Sequence, residues 1–487
     1  MRVAGAGLLA VAIAMILSAA VAVLDGGGGA RGLLLSALLT GLAGVVLFFG
    51  SRVSATADSA LAFASVAWSW LAVSLAGSLP FLLTGVIPWG QFDNALFESI
   101  SGFTCSGSTI LVNFDAVPQG VLFYRSLTQW LGGMGLVVLA VAVLPALGIG
   151  GLDLIASEAP GPTADRLTLR VRDTARQLWL LYGAMTGALT LVLLTIGMSA
   201  FDAVTHAFTT ISTGGFSPHA ESIAYFDSFT IELILMVGML LSGASFSIHW
   251  HALRQGIGAY RRVSEVRWYL SLVFGAFGML VWVNLGELGW LQNLRESLFY
   301  AVSLGSNTGF GNSDFVLWMP AAHLLLLVLM LVGGMSGSTA GGMKVLRLQV
   351  VFKYSFRELM RARHPNSVIP IRLGRTTIEE QIAAKVVGFV LLYLGLILAG
   401  GVILSGLGVD LVTAFSGSAS ALGNVGPALG EAGPTSNFLV FPRAGRIVLM
   451  AMMALGRLEL FPAMLMLVAS LRGLDRSRLR RDRERSQ

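Results

Sequence analysis

The chain alternates long apolar runs with short polar connections from end to end. Runs such as Leu8–Leu24, Leu33–Phe49, Leu61–Leu83, Leu178–Met198 and Val386–Leu404 approach or match the length, about 20 residues, that an α-helix needs to cross a bilayer. Ten spans are predicted on this pattern. The backbone of a segment in lipid must satisfy its hydrogen bonds internally, so the expected fold class is all-α and polytopic. Hydrophobic residues make up 55% of the 487 and charged residues only 12%, too little polar surface to cover a soluble body of this size. The first run begins at Arg2, and its apolar core exceeds the roughly 7–15 residues of a signal peptide. It is read as a retained helix.

A second pattern recurs at intervals of about a hundred residues. Two N-terminal helices (1–54) precede four copies of long helix, short amphipathic segment, glycine-bearing polar loop and long helix, over 55–150, 151–262, 263–364 and 365–472. A basic tail (473–487) follows. The loops read SGFTCSGSTIL (Ser101–Leu111), TTISTGGFSPH (Thr209–His219), SLGSNTGFGNSDF (Ser303–Phe315) and ALGNVGPALG (Ala421–Gly430). Registered on one glycine, they place Gly107, Gly214, Gly309 and Gly426 in equivalent positions. The segments before them, Asp93–Ile100, Phe201–Ile211, Leu294–Leu304 and Leu411–Leu422, are too short to span.

Charge assigns the sides. Basic residues cluster at Arg166–Arg176, Arg254–Arg267, Lys344–Arg375 and Arg472–Arg485, which the positive-inside rule places in the cytoplasm. The connections Asp93–Asp115, Asp202–Glu221, Glu287–Asp314 and Asp410–Glu431 carry acids and almost no lysine or arginine, so they face outward and both termini lie inside. Each short segment then begins and ends on the outer side, and must dip into the membrane and return. Irregular backbone at that depth is tolerated only where protein buries it or it lines an aqueous cavity, so four such segments predict one shared central pore.

A dehydrated monovalent cation needs a cage of oxygen ligands to replace its water. Backbone carbonyls supply such a cage, and glycine reaches the conformations that aim them inward. The candidate ion-binding set is Thr104, Cys105, Ser106 and Gly107; Ser212, Thr213 and Gly214; Asn307, Thr308 and Gly309; and Asn424, Val425 and Gly426. A single Ser/Thr-Gly stretch after an apolar segment is more simply a helix C-cap or a close helix contact. Four copies in register favour the filter.

Other chemistry finds little footing. Cys105 is the single cysteine and cannot form an internal disulfide, and the six histidines show no metal-ligand spacing. Paired acids or an activated serine for an enzyme are not found, and a GxxxxGK[ST] phosphate loop does not occur. The repeats run in one direction, unlike the inverted repeats of many solute transporters. No prosthetic group and no nucleic-acid partner are expected. The arginine tail reads as a solvated segment, in contact with anionic lipid or with a cytoplasmic partner.

At these loops the sequence resembles the TrkH/KtrB/HKT superfamily of cation transporters, most closely its TrkH branch. Further strings carry the likeness: EAPGPTADR (Glu158–Arg166), GGMSGSTAGGMKV (Gly333–Val345), RARHPNSVIPIRLG (Arg361–Gly374), GNVGPALG (Gly423–Gly430) and GRLELF (Gly456–Phe461). The resemblance implies four membrane-pore-membrane units in one chain around a potassium filter, in the bacterial inner membrane. Its potassium-selective members carry glycine in all four loops, and a serine in the first marks many sodium-selective plant relatives; Gly107 keeps the glycine. Cys105 stands where bacterial members usually have threonine, and Asn307 and Gly423 replace commoner polar residues. A sodium-permeable or weakly selective transporter of the same fold is the alternative.

Below the filter, the glycine-rich string interrupts the second long helix of the third repeat between Leu324–Leu331 and Lys344–Phe356, since each interior glycine costs a helix about 1 kcal/mol. By resemblance it is an intramembrane gate loop, with Gly333, Gly334, Gly337, Ser338, Thr339, Gly341, Gly342 and Lys344 as its candidate residues. Arg457 falls within the last apolar run, near Glu459, where a charge is functional by default. By resemblance it stands in the permeation path and raises a barrier. The resemblance also implies a homodimer and a cytoplasmic nucleotide-binding ring of the TrkA type, expected on the basic segments Arg254–Arg267 and Lys344–Arg375.

Overall fold

The structure, a computed structural model, describes residues 1–51, 59–142, 167–367, 369–374 and 376–458. The string Glu158–Arg166, Glu459 and the arginine tail lie outside them. Helices α1 (Arg2–Leu24) and α2 (Ala30–Gly50) open the chain as a tightly packed pair. Small residues permit the approach: a Cβ on Gly5 would come within 2.5 Å of the Phe48 nitrogen. Lipid tails are as apolar as leucine, so close backbone packing is what drives such association.

Four units follow. The first is α3 (Ser59–Gly77), the short α4 (Leu79–Leu83), α5 (Phe92–Phe103) and α6 (Gln119–Ala142). The second is α7 (Leu167–Thr195), α8 (Ala200–Ile211), α9 (Phe229–Ser242), α10 (Phe246–Gln255) and α11 (Gly258–Arg262). The third is α12 (Ser264–Val283), α13 (Trp290–Gly305), α14 (Pro320–Val332) and α15 (Val345–Arg363). After a hairpin of β1 (Ile371–Leu373) and β2 (Thr376–Ile378) come α16 (Glu380–Gly406), α17 (Leu411–Gly423) and α18 (Arg443–Arg457). Ile371 pairs with Ile378 and Leu373 with Thr376, antiparallel. The protein is an all-α polytopic membrane protein apart from this hairpin.

Among the described residues, five helices are long and apolar enough to cross a membrane, and a sixth span results if α9 and α10 count as one. The third unit breaks between Val332 and Val345, beside the expected interruption. A second break, between α9 and α10, turns the chain by 96° and was not predicted. It falls at Gly243, where a Cβ would sit 2.4 Å from the Tyr269 hydroxyl. The two breaks satisfy each other: Met335 N–H donates to the Gly243 carbonyl at 2.8 Å, and Phe246 N–H to the Gly337 carbonyl at 3.1 Å. Backbone freed from a helix at this depth is thereby repaired.

Apolar side chains form two large masses, one built mainly from the second and third units and one joining α1 and α2 to the first and fourth. The short helices α8 and α13 contribute to the first mass and α5 and α17 to the second, and their C-terminal residues are almost wholly buried.

Candidate functional site: a ring of four loops

Each short helix ends in the same way. Residue Cys105, Thr213, Asn307 or Asn424 takes a left-handed conformation, with φ of 55°, 53°, 55° and 53°. Its N–H donates three residues back, to Gly102, Thr210, Leu304 or Ala421, at 3.0–3.3 Å. The next N–H donates five residues back: Ser106 to Ser101, Gly214 to Thr209, Thr308 to Ser303 and Val425 to Ser420, at 2.8–3.0 Å. This pair of bonds is a Schellman motif, which usually places glycine at the left-handed position. The helix-cap reading and the filter reading thus describe consecutive residues of one loop.

The caps fix the register, and it differs from the expected one. Gly214 is equivalent to Ser106, Thr308 and Val425, and the residue matching Gly107, Gly309 and Gly426 is Gly215. These four glycines have φ of 78°, 80°, 115° and, for Gly215, 75°, where a side chain is strained. The Thr213-Gly214-Gly215 string is ambiguous on glycine alone. Counting from the left-handed position, where Asn307 and Asn424 are the natural occupants, selects the second glycine.

These residues close a ring. A Cβ on Gly107 would lie 2.4 Å from the Gly214 carbonyl oxygen, and one on Gly215 2.0 Å from that of Thr308. One on Gly309 would lie 1.8 Å from that of Val425, and one on Gly426 3.0 Å from that of Ser106. Every glycine faces the carbonyl preceding the next loop's glycine, in cyclic order through all four units. Glycine here is what lets four backbones converge. A cavity of about 200 Å³ opens above, lined by all four glycines, with Arg125 and His219 on its wall.

Hydroxyls brace the loops from behind. Ser101 Oγ donates to the Ser108 carbonyl at 2.6 Å, Ser303 Oγ to that of Phe310 at 2.7 Å, and Ser420 Oγ to that of Gly426 at 3.0 Å. Thr104 and Ser106 hydroxyls pair at 2.9 Å, as do Ser306 and Thr308 at 2.8 Å. Asn424 Nδ2 donates to Ser106 Oγ at 2.8 Å and so joins loops four and one. Glu98, fully buried, accepts from Arg125 at 2.5 Å and from Ile110 N–H at 3.0 Å. Glu98, Arg125 and Gln129 stand outside the predicted set; an acid and a base buried in apolar helices were the available signal.

The N-terminal ends of three short helices carry acids, Asp93 on α5, Asp202 on α8 and Asp410 on α17. Asp410 caps α17, accepting from Val412 and Thr413 N–H at 2.9 and 3.2 Å. Burial pushes its carboxyl up, and these bonds outweigh that and hold it below the usual range. Asp202 on α8 is likewise lowered, its burial outweighed by bonds from His219 and Ser199. The inner ends point carbonyls, partially negative, toward the ring.

Beneath the ring runs Gly333–Lys344. Gly342 N–H donates to the Gly423 carbonyl at 2.9 Å, and Asn307 Nδ2 to the same oxygen at 2.8 Å. Gly341 lies so close that a Cβ would sit 2.0 Å from that oxygen. Thr339 Oγ1 donates to the carbonyls of Ile211 and Ser242 at 3.0 and 3.3 Å. Ser336 N–H donates to the buried Glu265 carboxylate at 2.7 Å. Gly333, Gly337, Gly342 and Lys344 all take positive φ, Lys344 Nζ bonds the Ala340 carbonyl, and Ser338 Oγ bonds that of Met335. Gly334 packs on the Gly243 carbonyl.

Arg457 is buried, and its guanidinium donates to the Thr339 carbonyl at 3.0 Å and to Cys105 Sγ at 3.1 Å. It ties the interrupted segment to the first loop, and no carboxylate among the described residues pairs with it. Cys105 Sγ also donates to the Gln129 carbonyl at 3.2 Å.

The family model described as TrkH, a cation transport protein, matches residues 36–276 and 286–472. The Trk system potassium uptake protein TrkH of Halomonas elongata is 42% identical over 404 residues, 82% of this chain and 83% of that one. That of Escherichia coli K12 is 38% identical over 404 residues, with the same shares of each chain. The crystal structure of the potassium transporter TrkH from Vibrio parahaemolyticus superposes with a TM-score of 0.87 at 33% identity, covering 96% of this chain and 97% of that one. On this convergence of ring, interrupted helices and sequence, the chain belongs to the TrkH family of cation transport proteins.

Proposed function

We propose that this protein carries potassium ions inward across the inner membrane. The four-loop ring is its selectivity filter, and Gly333–Lys344 with Arg457 forms its gate. The cyclic closure of glycines on carbonyls carries this reading, because it brings backbone oxygens from all four units to one level, as a dehydrated cation requires. The carbonyls of Ser106, Gly214, Thr308 and Val425, with their neighbours in each loop, are the proposed ligands. Potassium is the transported substrate, and the names of the relatives supply that ion. An inside-negative potential of about 100 mV contributes roughly 2.3 kcal/mol per entering monovalent cation, so no reaction on the protein is needed.

The gate reading rests on the contacts of Thr339, Gly341 and Gly342 beneath the ring. Movement of that segment would release Arg457 from Thr339. Control comes, in this proposal, from a nucleotide-binding ring of the TrkA type docked on a homodimer, with both termini cytoplasmic. Arg254, Arg261, Arg262 and Arg363 are exposed on the segments that would receive it.

The test is rubidium uptake into liposomes holding purified protein, under an inside-negative potential, with sodium as competitor and Gly107→Ser alongside. Uptake that favours rubidium and loses that preference in the variant is the expected result. Equal uptake of sodium by the unaltered protein would remove the potassium assignment. No flux, even with the cytoplasmic ring added, would remove the pore.

A further inference from the structure

The second loop has neither of the two side-chain braces that hold the first and third, whereas the fourth, with Val425 at the position of Gly214, keeps the brace from Ser420. At Gly214 it lacks the hydroxyl that Ser106 and Thr308 present, although Ser212 stands two residues before, where Thr104 and Ser306 stand. Thr209 occupies the place of Ser101, Ser303 and Ser420, yet its hydroxyl turns back along α8 to the Thr205 carbonyl at 3.1 Å. The structure fills both gaps from the neighbouring unit. Gln129, on α6, is fully buried; its Nε2 donates to the Gly214 carbonyl at 2.7 Å, and its Oε1 accepts from Phe216 N–H at 3.0 Å. The carboxamide thus grips the loop on both sides of Gly215.

The space that Gln129 occupies is the space a side chain at 214 would need. A Cβ on Gly214 would lie 2.3 Å from Gln129 Cδ and Oε1. Gly214 is outside the left-handed region, so its conformation accepts a side chain, and the amide is the nearest obstacle. One turn earlier on the same face of α6, Arg125 donates to the Ser217 carbonyl at 2.8 Å and stacks on Phe216, 3.4 Å from the ring centroid.

We infer that Gln129 is a positioning residue for ion selection, a carboxamide supplied by the first unit that replaces the missing side-chain brace of the second and holds the Gly214 carbonyl in the ring. A carbonyl oxygen has two acceptor sites, so the one bonded to Gln129 keeps a lone pair for a cation. This inference rests on the filter reading, and the experiment separates the two.

The experiment compares Gln129→Ala, Gly214→Ser, the double variant and Gly309→Ala, reading rubidium uptake against sodium in liposomes and the folded yield of each protein. Gln129→Ala leaves the carbonyl unheld, and Gly214→Ser collides with the amide. Each single change is expected to lower the rubidium preference about tenfold, the scale of one net hydrogen bond. In the double variant the new serine meets Ser212 as Ser106 meets Thr104, and the preference returns to within about threefold of the unaltered protein. Singles that keep the full preference, or a double variant whose loss is the product of the two, overturn the inference. Where a single change prevents folding, folded and selective double variant supports the shared space and an unfolded one overturns it. Gly309→Ala is the control: if it leaves preference intact, the filter reading fails and this inference falls with it.

Discussion

Alanine placed in turn at Gly309, Gly215, Gly107 and Gly426 tests the ring through its own asymmetry. All four positions share a positive φ, so each substitution carries a backbone cost of about 1–2 kcal/mol. They differ in what the new methyl meets: a carbonyl oxygen at 1.8, 2.0, 2.4 and 3.0 Å respectively. To regain ordinary contact beyond 3.4 Å, the Val425 oxygen must retreat by about 1.6 Å, that of Thr308 by about 1.4 Å, that of Gly214 by about 1.0 Å and that of Ser106 by only about 0.4 Å. A cation–carbonyl contact is comparable to a hydrogen bond to a charged group, with a net worth of about 1.5–3 kcal/mol. Losing one lowers the rubidium preference roughly ten- to a hundredfold. The expected order of loss is Gly309, Gly215, Gly107, then Gly426. The φ of 115° at Gly426 lies farthest from the left-handed well, so Gly426→Ala should lower the thermal midpoint most while changing preference least. Uptake competition in liposomes gives one scale and the melting of detergent-purified protein the other. Equal loss of preference at all four positions, or a ranking that follows thermal stability, would refute the claim that the displaced carbonyls are ligands.

Gly214→Ala belongs outside this series, because the atoms its methyl meets first are those of the Gln129 carboxamide. Arg457→Gln removes a buried positive charge beneath the ring and keeps a donor for Thr339; initial rubidium uptake is expected to rise several-fold, and an unchanged rate would show that the guanidinium raises no barrier. Cys105→Thr should leave ion preference unaltered, because the thiol faces Gln129 and Arg457, while changing uptake rate through the lost Arg457 contact; a shift in sodium competition would contradict this. Asp410→Ala removes the cap of α17 and is expected to cost about 1 kcal/mol at neutral pH. The Asp410 carboxyl is held low in the folded protein, so its ionised contribution is complete above the ordinary carboxylate range and lost as pH falls through the folded value. Melting curves of the two proteins should therefore converge in acid, and a constant gap down to the lowest measurable pH would count against the cap.

What could be read before the structure was the repeated backbone plan, because apolar length and glycine spacing are local properties of sequence. The polytopic all-α fold came from the same sources, and the family from a resemblance carried by the loops and by strings such as Gly333–Val345 and Gly423–Gly430. The one-residue error at Gly214 has a physical origin: two adjacent glycines satisfy the same composition rule, and only the Schellman bonds of Thr213 and Gly214 decide between them. The bend at Gly243 was hidden for a related reason. A helix can carry Gly-Ala-Ser without breaking, and what breaks this one is a partner segment, Gly334–Gly337, far away in sequence. Gln129 was illegible because its role depends on an absence elsewhere, the missing side chain at 214.

The unequal loops argue that the backbone, and not any one side chain, sets the geometry of the ring. Cys105, Thr213, Asn307 and Asn424 share one conformation, yet their side chains go four ways: to Gln129 and Arg457, to the adjacent Ser212 carbonyl, to the Gly423 carbonyl, and to Ser106 with Met453. Side-chain bonds join loop four to loop one through Asn424 and loop three to loop four through Asn307, and Gln129 joins the first unit to the second loop. Through Arg457 and Thr339 the same network reaches the interrupted helix of the third unit. A displacement of that segment cannot occur without breaking a bond to Arg457 or to the Gly423 carbonyl on which Asn307 also rests. On the proposed reading, shared acceptors would couple gating to selection, so a substitution in the gate segment is expected to alter ion preference as well as rate.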